Sequence, residues 1–147
     1  MRQALVIVVL LAAGGILAHY HVSNQSYYPV ARLTSGSGYT FTVVQDRVET
    51  RGECGKANDR FVLPIKRSCA ECRIAYARCE RELQGLELQL IMGEPVPMHV
   101  VVAPKLRMAM EGPAETLRRD CEQMAAAIVR VGVPSAACAY PGVMRRP

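Results

Sequence analysis

Hydrophobic and polar positions along this chain follow two periods in turn, and one stretch at its start has none. Tyr39-Thr40-Phe41-Thr42-Val43-Val44 is β-branched and aromatic, which predicts a strand. Gln45–Thr50 either extends it or turns a hairpin. Met98–Ala103 predicts another strand. Leu106–Glu111, after the short Pro104-Lys105 connection, is its antiparallel partner. Ser135–Tyr140 is small and apolar and reads as a last strand. Leu117, Cys121, Met124, Ile128 and Val131 recur at helical spacing. Gly112-Pro113 opens that helix, and Gly132 and Pro134 stop it. Leu86–Met92 is apolar and fits a strand or a helix. Gly93–Pro97 is a turn.

The densest pattern lies between Ser68 and Gly85. Ser68 followed by Glu71 has the form of a capping box, in which hydroxyl and carboxylate satisfy each other's backbone amides. Gly85 suits the left-handed residue that closes a helix. Cys69, Cys72, Tyr76, Cys79 and Leu83 then fall on one helical face, so a helix with three buried cysteines is expected. Arg51–Lys56 before it reads as a loop. Arg60–Ile65 reads as an edge strand or extended connector, because Pro64 cannot donate to a sheet ladder.

The stretch without a period is Ala4–Ala18, uncharged and apolar behind Arg2. Residues 1–22 therefore read as a signal anchor or a cleaved signal peptide. The anchor is preferred because Ile16 and Ala18 are a poor pair for a cleavage site. Tyr20, Tyr27 and Tyr28 suit the membrane interface. Residues 23–38 supply turn chemistry and read as a linker. Residues 39–140 form the domain and 141–147 a tail.

Strand, helix, strand, strand, helix, strand is the ferredoxin-like βαββαβ order. The expected class is α+β, with two helices packed on one face of a small antiparallel sheet. The halves show no obvious sequence repeat. Six cysteines behind an export segment fit an oxidising compartment. The domain is expected in the periplasm, anchored to the inner membrane, or secreted there if the segment is cleaved.

Disulfide pairing follows from the expected helix. Cys72–Cys79 and Cys69–Cys79 would be about 10 and 15 Å apart along it, too far to bridge. Either Cys69 joins Cys72, or the helix cysteines go separately to Cys54, Cys121 and Cys138. If Cys121 joins Cys138 across its short turn, Cys69–Cys72 and Cys54–Cys79 follow. That set is favoured.

A net charge of +5 is spread in singles and pairs such as Lys66-Arg67 and Arg118-Arg119. A nucleic-acid surface would cluster it with aromatics, so none is expected. His19, His21 and His99 are the only histidines. His99, in a strand, reads as a structural residue with a satisfied ring. No nucleophile elbow or phosphate loop is present, and no cofactor is implied. The preferred reading is a non-enzymatic, membrane-attached binding or assembly module of the cell envelope, with an envelope protein or glycan as partner.

Two alternatives use the cysteines. Cys69-Ala70-Glu71-Cys72 at a helix start would have a stabilised thiolate, as a thiol–disulfide oxidoreductase needs. That stretch and Val96-Pro97-Met98 resemble the active-site motif and facing proline loop of thioredoxin-like proteins. The resemblance covers these two stretches alone. No aromatic precedes Cys69, and the spacing to Pro97 leaves little room for the usual intervening elements. The second alternative is a structural zinc site from Cys54, Cys69, Cys72 and Cys79, which needs the helix to break between Cys72 and Cys79.

Overall fold

The computed structural model describes residues 26–142 except 131 and 134. The expected anchor at residues 1–22 and most of the expected tail lie outside the described residues. No helix among the described residues is long and apolar enough to cross a membrane.

Nine elements follow in order: β1 (Tyr28–Thr34), β2 (Thr40–Gln45), α1 (Arg51–Ser68), β3 (Arg73–Glu80), α2 (Gly85–Met92), β4 (His99–Ala103), β5 (Leu106–Glu111), α3 (Ala114–Arg130) and β6 (Ala137–Ala139). The six strands form one sheet in the order β3-β1-β2-β5-β4-β6, with every neighbouring pair antiparallel. The class is α+β, but the order is not the ferredoxin-like one. It is two copies of a strand–strand–helix–strand unit joined by α2. In each unit a hairpin is followed by a helix, and the next strand returns beside the first hairpin strand. Both β2 and β3 run antiparallel to β1, so α1 joins two parallel strands with β1 between them. The same holds for β5, α3 and β6 around β4.

Four expectations on the first half need correction. Residues 28–34 are a strand, not part of a linker, so the domain begins before Tyr39; Val30, Ala31 and Leu33 are buried in it. Arg51–Lys56 and Arg60–Ile65 are helix, not loop and connector. The capping box is Thr50 with Glu53: the Thr50 hydroxyl accepts the Glu53 amide at 3.1 Å, and Glu53 accepts the Thr50 amide at 3.1 Å. Cys54, Asn58 and Val62 then form its buried stripe at a spacing of four. Pro64 removes one backbone bond inside the helix, a loss of about 3 kcal/mol. Packing of Phe61, Val62 and Ile65 against the sheet opposes that cost.

The expected helix at residues 68–85 does not exist. Ser68 ends α1, Cys69 is its C-cap, and residues 73–80 are β3. The spacing of three and four runs across unlike pieces: Cys69 and Cys72 lie in the turn after the helix, Tyr76 and Cys79 in the strand, and Leu83 beyond it. Pairing with β1 shifts between Arg32 and Leu33, so Ile74 faces one core cluster and Tyr76 the other. Tyr76 packs in the second cluster while Cys79 is bridged to α1 on the other side of the sheet, so the residues of the expected stripe share no face.

The sheet has a core on each face. Ala31, Leu33, Phe41, Val43, Val101, Met108 and Met110 meet Val62 of α1 and Cys121 and Ala125 of α3. Val30, Val44, Val100, Val102 and Ala109 meet Leu90 of α2, with Leu83 and Val96. Strand alternation separates the two sets. Leu86–Met92, left open by its sequence, is helix, closed by Gly93 at φ 70°. Tyr76 and Arg78 of β3 both donate to Glu87 of α2, at 3.0 and 3.2 Å. Arg78 also stacks on the Tyr76 ring, 4.3 Å from its centroid. Burial, followed by the bond to Glu87, raises the Tyr76 pKa.

Three bridges are present: Cys54–Cys79, Cys69–Cys72 and Cys121–Cys138. This is the favoured set, although the helix used to reach it is absent. Their sequence separations are 25, 3 and 17. Chain entropy assigns about 3–3.5 kcal/mol to each long bridge and about 1.5 kcal/mol to the short one. The double variant Cys121→Ala/Cys138→Ala should therefore lose about twice the stability lost by Cys69→Ala/Cys72→Ala. Equilibrium urea unfolding measures both; equal losses would contradict the assignment.

Candidate functional site

The site is a cleft left by helix placement. α1 rests on β1 and β3, and α3 rests mainly on β4 and β6. Each helix is tied to an edge strand by a bridge. Six strands at about 4.8 Å spacing span roughly 24 Å, whereas packed helices sit only about 10 Å apart. The middle of the face between α1 and α3 therefore has no helix lying on it.

Phe61 and Ile65 of α1 form one wall of the cleft, and Met124 and Ile128 of α3 the other. Phe41, Met108 and Met110 make the floor. Its volume is about 500 Å³, within the roughly 300–1,000 Å³ of small-ligand clefts. Methionines suit such a lining, because a flexible thioether repacks around different shapes.

The upper end holds the polar groups. Ser35 and Ser37 lie in the β1–β2 loop, with their hydroxyls 2.9 Å apart, and the Ser35 hydroxyl also accepts the Tyr39 amide. The Tyr39 hydroxyl donates to Asp120, and the Thr116 hydroxyl shares the same phenolic oxygen. Gly112 makes room for this arrangement: a Cβ there would come within 2.4 Å of the Tyr39 ring. Among the described lining residues, Asp120 is the only side chain charged at neutral pH. Its carboxyl is held below the usual range, first by the Tyr39 bond, then by Thr116 and Arg119. Arg119 lies 3.3 Å away as an ion pair. The one charge in the cleft is thus already partnered.

Cys69 and Cys72 line the same upper end. They do not begin a helix; they follow one. Cys69 donates its amide to Ile65 at 2.9 Å, and Cys72 closes the turn onto Cys69 at 3.3 Å. The helix terminus facing the sulfurs carries partial negative charge, which disfavours a thiolate. The oxidoreductase alternative loses the effect it was based on. Val96-Pro97-Met98 belongs elsewhere: Val96 and Met98 pack in the α2 cluster, away from the bridge. The zinc alternative fails on distance. Cys54 and Cys69 sit at opposite ends of α1, separated by about 22 Å at 1.5 Å per residue. All four cysteines of that alternative are bridged in two separate places.

His99 differs from expectation. Its ring meets Tyr140 edge-on with centroids 5.8 Å apart, and its buried Nδ1 has no hydrogen-bond partner among the described residues. Tyr140 donates to Glu122, which also pairs with Arg118. The Tyr140 bond and then Arg118 lower the Glu122 pKa.

Sequence reasoning placed Met124 and Ile128 on a buried helical face but did not find the cleft. Phe61 and Ile65, spaced by four, were the available signal for its other wall, and Pro64 concealed them. No protein-family model, curated protein or solved structure matches the chain. The fold and the cleft define it as a small disulfide-bridged α+β domain with an apolar site on one sheet face.

Asp120 gives a direct check. Its folded pKa is depressed, so its contribution to stability is present above the unfolded value, about 3.9, and is lost as pH falls through the folded value. Tyr39→Phe removes the leading cause and should move the Asp120 titration up toward that value. Carboxyl NMR titration reads it. An unchanged Asp120 pKa in the variant would show that the Tyr39 bond does not hold the charge.

Proposed function

We propose that this chain is a non-enzymatic binding or assembly module of the cell envelope. In this reading residues 1–22 hold it at the membrane, and the bridged domain lies on the extracytoplasmic side. The cleft between α1 and α3 takes an envelope protein that inserts one or two uncharged apolar side chains. The observation that carries the reading is an apolar, ligand-sized cleft whose single charge is satisfied internally. An inserted cation or anion would find no unpaired counter-charge among the described lining residues. A glycan would lose hydrogen bonds to water that this lining does not replace. An apolar anchor loses nothing of that kind and gains burial, which is how most interface hot spots work.

Three bridges with no cysteine left over support the extracytoplasmic placement. A reporter active only after export, fused to the C-terminus of the full chain, should be active. Activity confined to a cytoplasmic reporter would refute the placement.

The cleft is tested with N-phenyl-1-naphthylamine, an uncharged apolar fluorophore. It should bind at one site per chain. Met124→Trp, which fills the cleft from α3, should weaken that binding by tenfold or more, on the order of 1.4 kcal/mol, while the domain stays folded by circular dichroism. Dye that binds wild type and variant equally would place the apolar site elsewhere.

A further inference from the structure

We infer that the Cys69–Cys72 bridge is a reducible latch on this cleft: a dithiol reductant opens it, and the grip on an apolar occupant weakens. The inference rests on the cleft being a binding site.

The three bridges are not alike. Cys54 and Cys121 are fully buried, each on the underside of a helix. Their partners Cys79 and Cys138 are half-buried, as are Cys69 and Cys72, so only the bridge in the turn has neither cysteine buried. The Cys69–Cys72 separation of 3 residues closes the shortest loop, so this bridge gains least from chain entropy. A bridge with neither cysteine buried is the more easily reduced one, and opening the shortest loop costs the fold least.

The latch is coupled to the cleft by position. Both sulfurs form part of its wall. The turn between them leans on the opposite rim: a Cβ on Gly36, in the β1–β2 loop, would meet Glu71 Oε2 at 2.1 Å. The bridged turn and the serine loop therefore touch across the upper end. Opening the bridge gives Ala70 and Glu71 new freedom and removes a fixed part of the wall. A site that must be ordered on binding holds its ligand less tightly.

The exchange balances with a dithiol. One of its thiolates attacks a bridge sulfur, forming a mixed disulfide, and the other cysteine leaves as a thiolate and takes up a proton. The second thiol of the reductant then displaces the protein sulfur. Two electrons and two protons end on Cys69 and Cys72, and the reductant becomes the disulfide. The turn follows a helix C-terminus, whose dipole gives a thiolate no support. The bridge is thus a target of exchange rather than a catalyst of it.

The oxidised full-length chain is titrated with dithiothreitol, trapped with iodoacetamide and mapped by peptide mass. Cys69 and Cys72 should label at roughly tenfold less reductant than the other four cysteines. Binding of N-phenyl-1-naphthylamine is then compared between the oxidised and the selectively reduced protein, with Cys69→Ser/Cys72→Ser as a permanently open form. Both open forms should bind roughly tenfold more weakly than the oxidised protein. Simultaneous reduction of all three bridges overturns the inference. So does selective reduction with unchanged dye affinity, which leaves the cleft reading intact. Dye that binds neither form overturns the cleft reading and the latch together.

Discussion

The antiparallel pairing of β2 with β5 holds this molecule together. It runs from Thr40 opposite Glu111 to Gln45 opposite Leu106 and is the only strand pairing between the two halves among the described residues. Each half on its own is a three-stranded sheet with one helix. The shared ladder makes them a six-stranded sheet with continuous cores on both faces. Val43, Val44, Met108 and Ala109 on the seam are nearly inaccessible to solvent, so the join between the halves is part of the core. An antiparallel pair has local two-fold symmetry, so like units joined this way are related by an approximate two-fold. α2 rests on β2 and β5 on one face of that axis, and the cleft opens on the other.

The two long bridges set where the walls of the cleft stand. Cys54–Cys79 fixes α1 to β3 at one edge, and Cys121–Cys138 fixes α3 to β6 at the other. Asn58 adds a hydrogen bond from α1 to the Arg78 carbonyl of β3 at 2.9 Å. The same bonds that stabilise each half thus place the two walls on either side of the seam.

The second half of the chain was more legible than the first, for physical reasons. β4, β5 and α3 have unbroken periods and ordinary boundary residues, so pattern and structure agree. In the first half three local signals misled. Ser68-x-x-Glu71 and Thr50-x-x-Glu53 have the same capping form, but only the second precedes a helix; Pro64 made that helix look unsuitable. The Cys69-to-Leu83 spacing looked helical although it runs across a turn, β3 and the loop after it. β1 was hidden because Tyr28-Pro29 and the nearby serines and glycines look like a linker, although Pro29 is buried in the strand. The cleft itself was not legible. It depends on where two helices rest on a sheet, and no local window of sequence contains that distance.

The end of the helix at which a Cys-x-x-Cys sits decides what it can do. At a helix start, unpaired amides stabilise the thiolate, and the motif is suited to attack other disulfides. Here the sequence places Cys69 after the last turn of α1, at the negative end of the helix dipole. The field is reversed, so the thiolate is disfavoured and the thiol or the bridge is left as the stable form. Lys66 and Arg67 in the last turn are exposed, and solvent screens much of their opposing charge. A motif with this orientation is poorly suited to turnover. What it retains is a two-state geometry at the rim of the cleft, closed when bridged and loose when reduced, which is a structural use of the same pair of sulfurs.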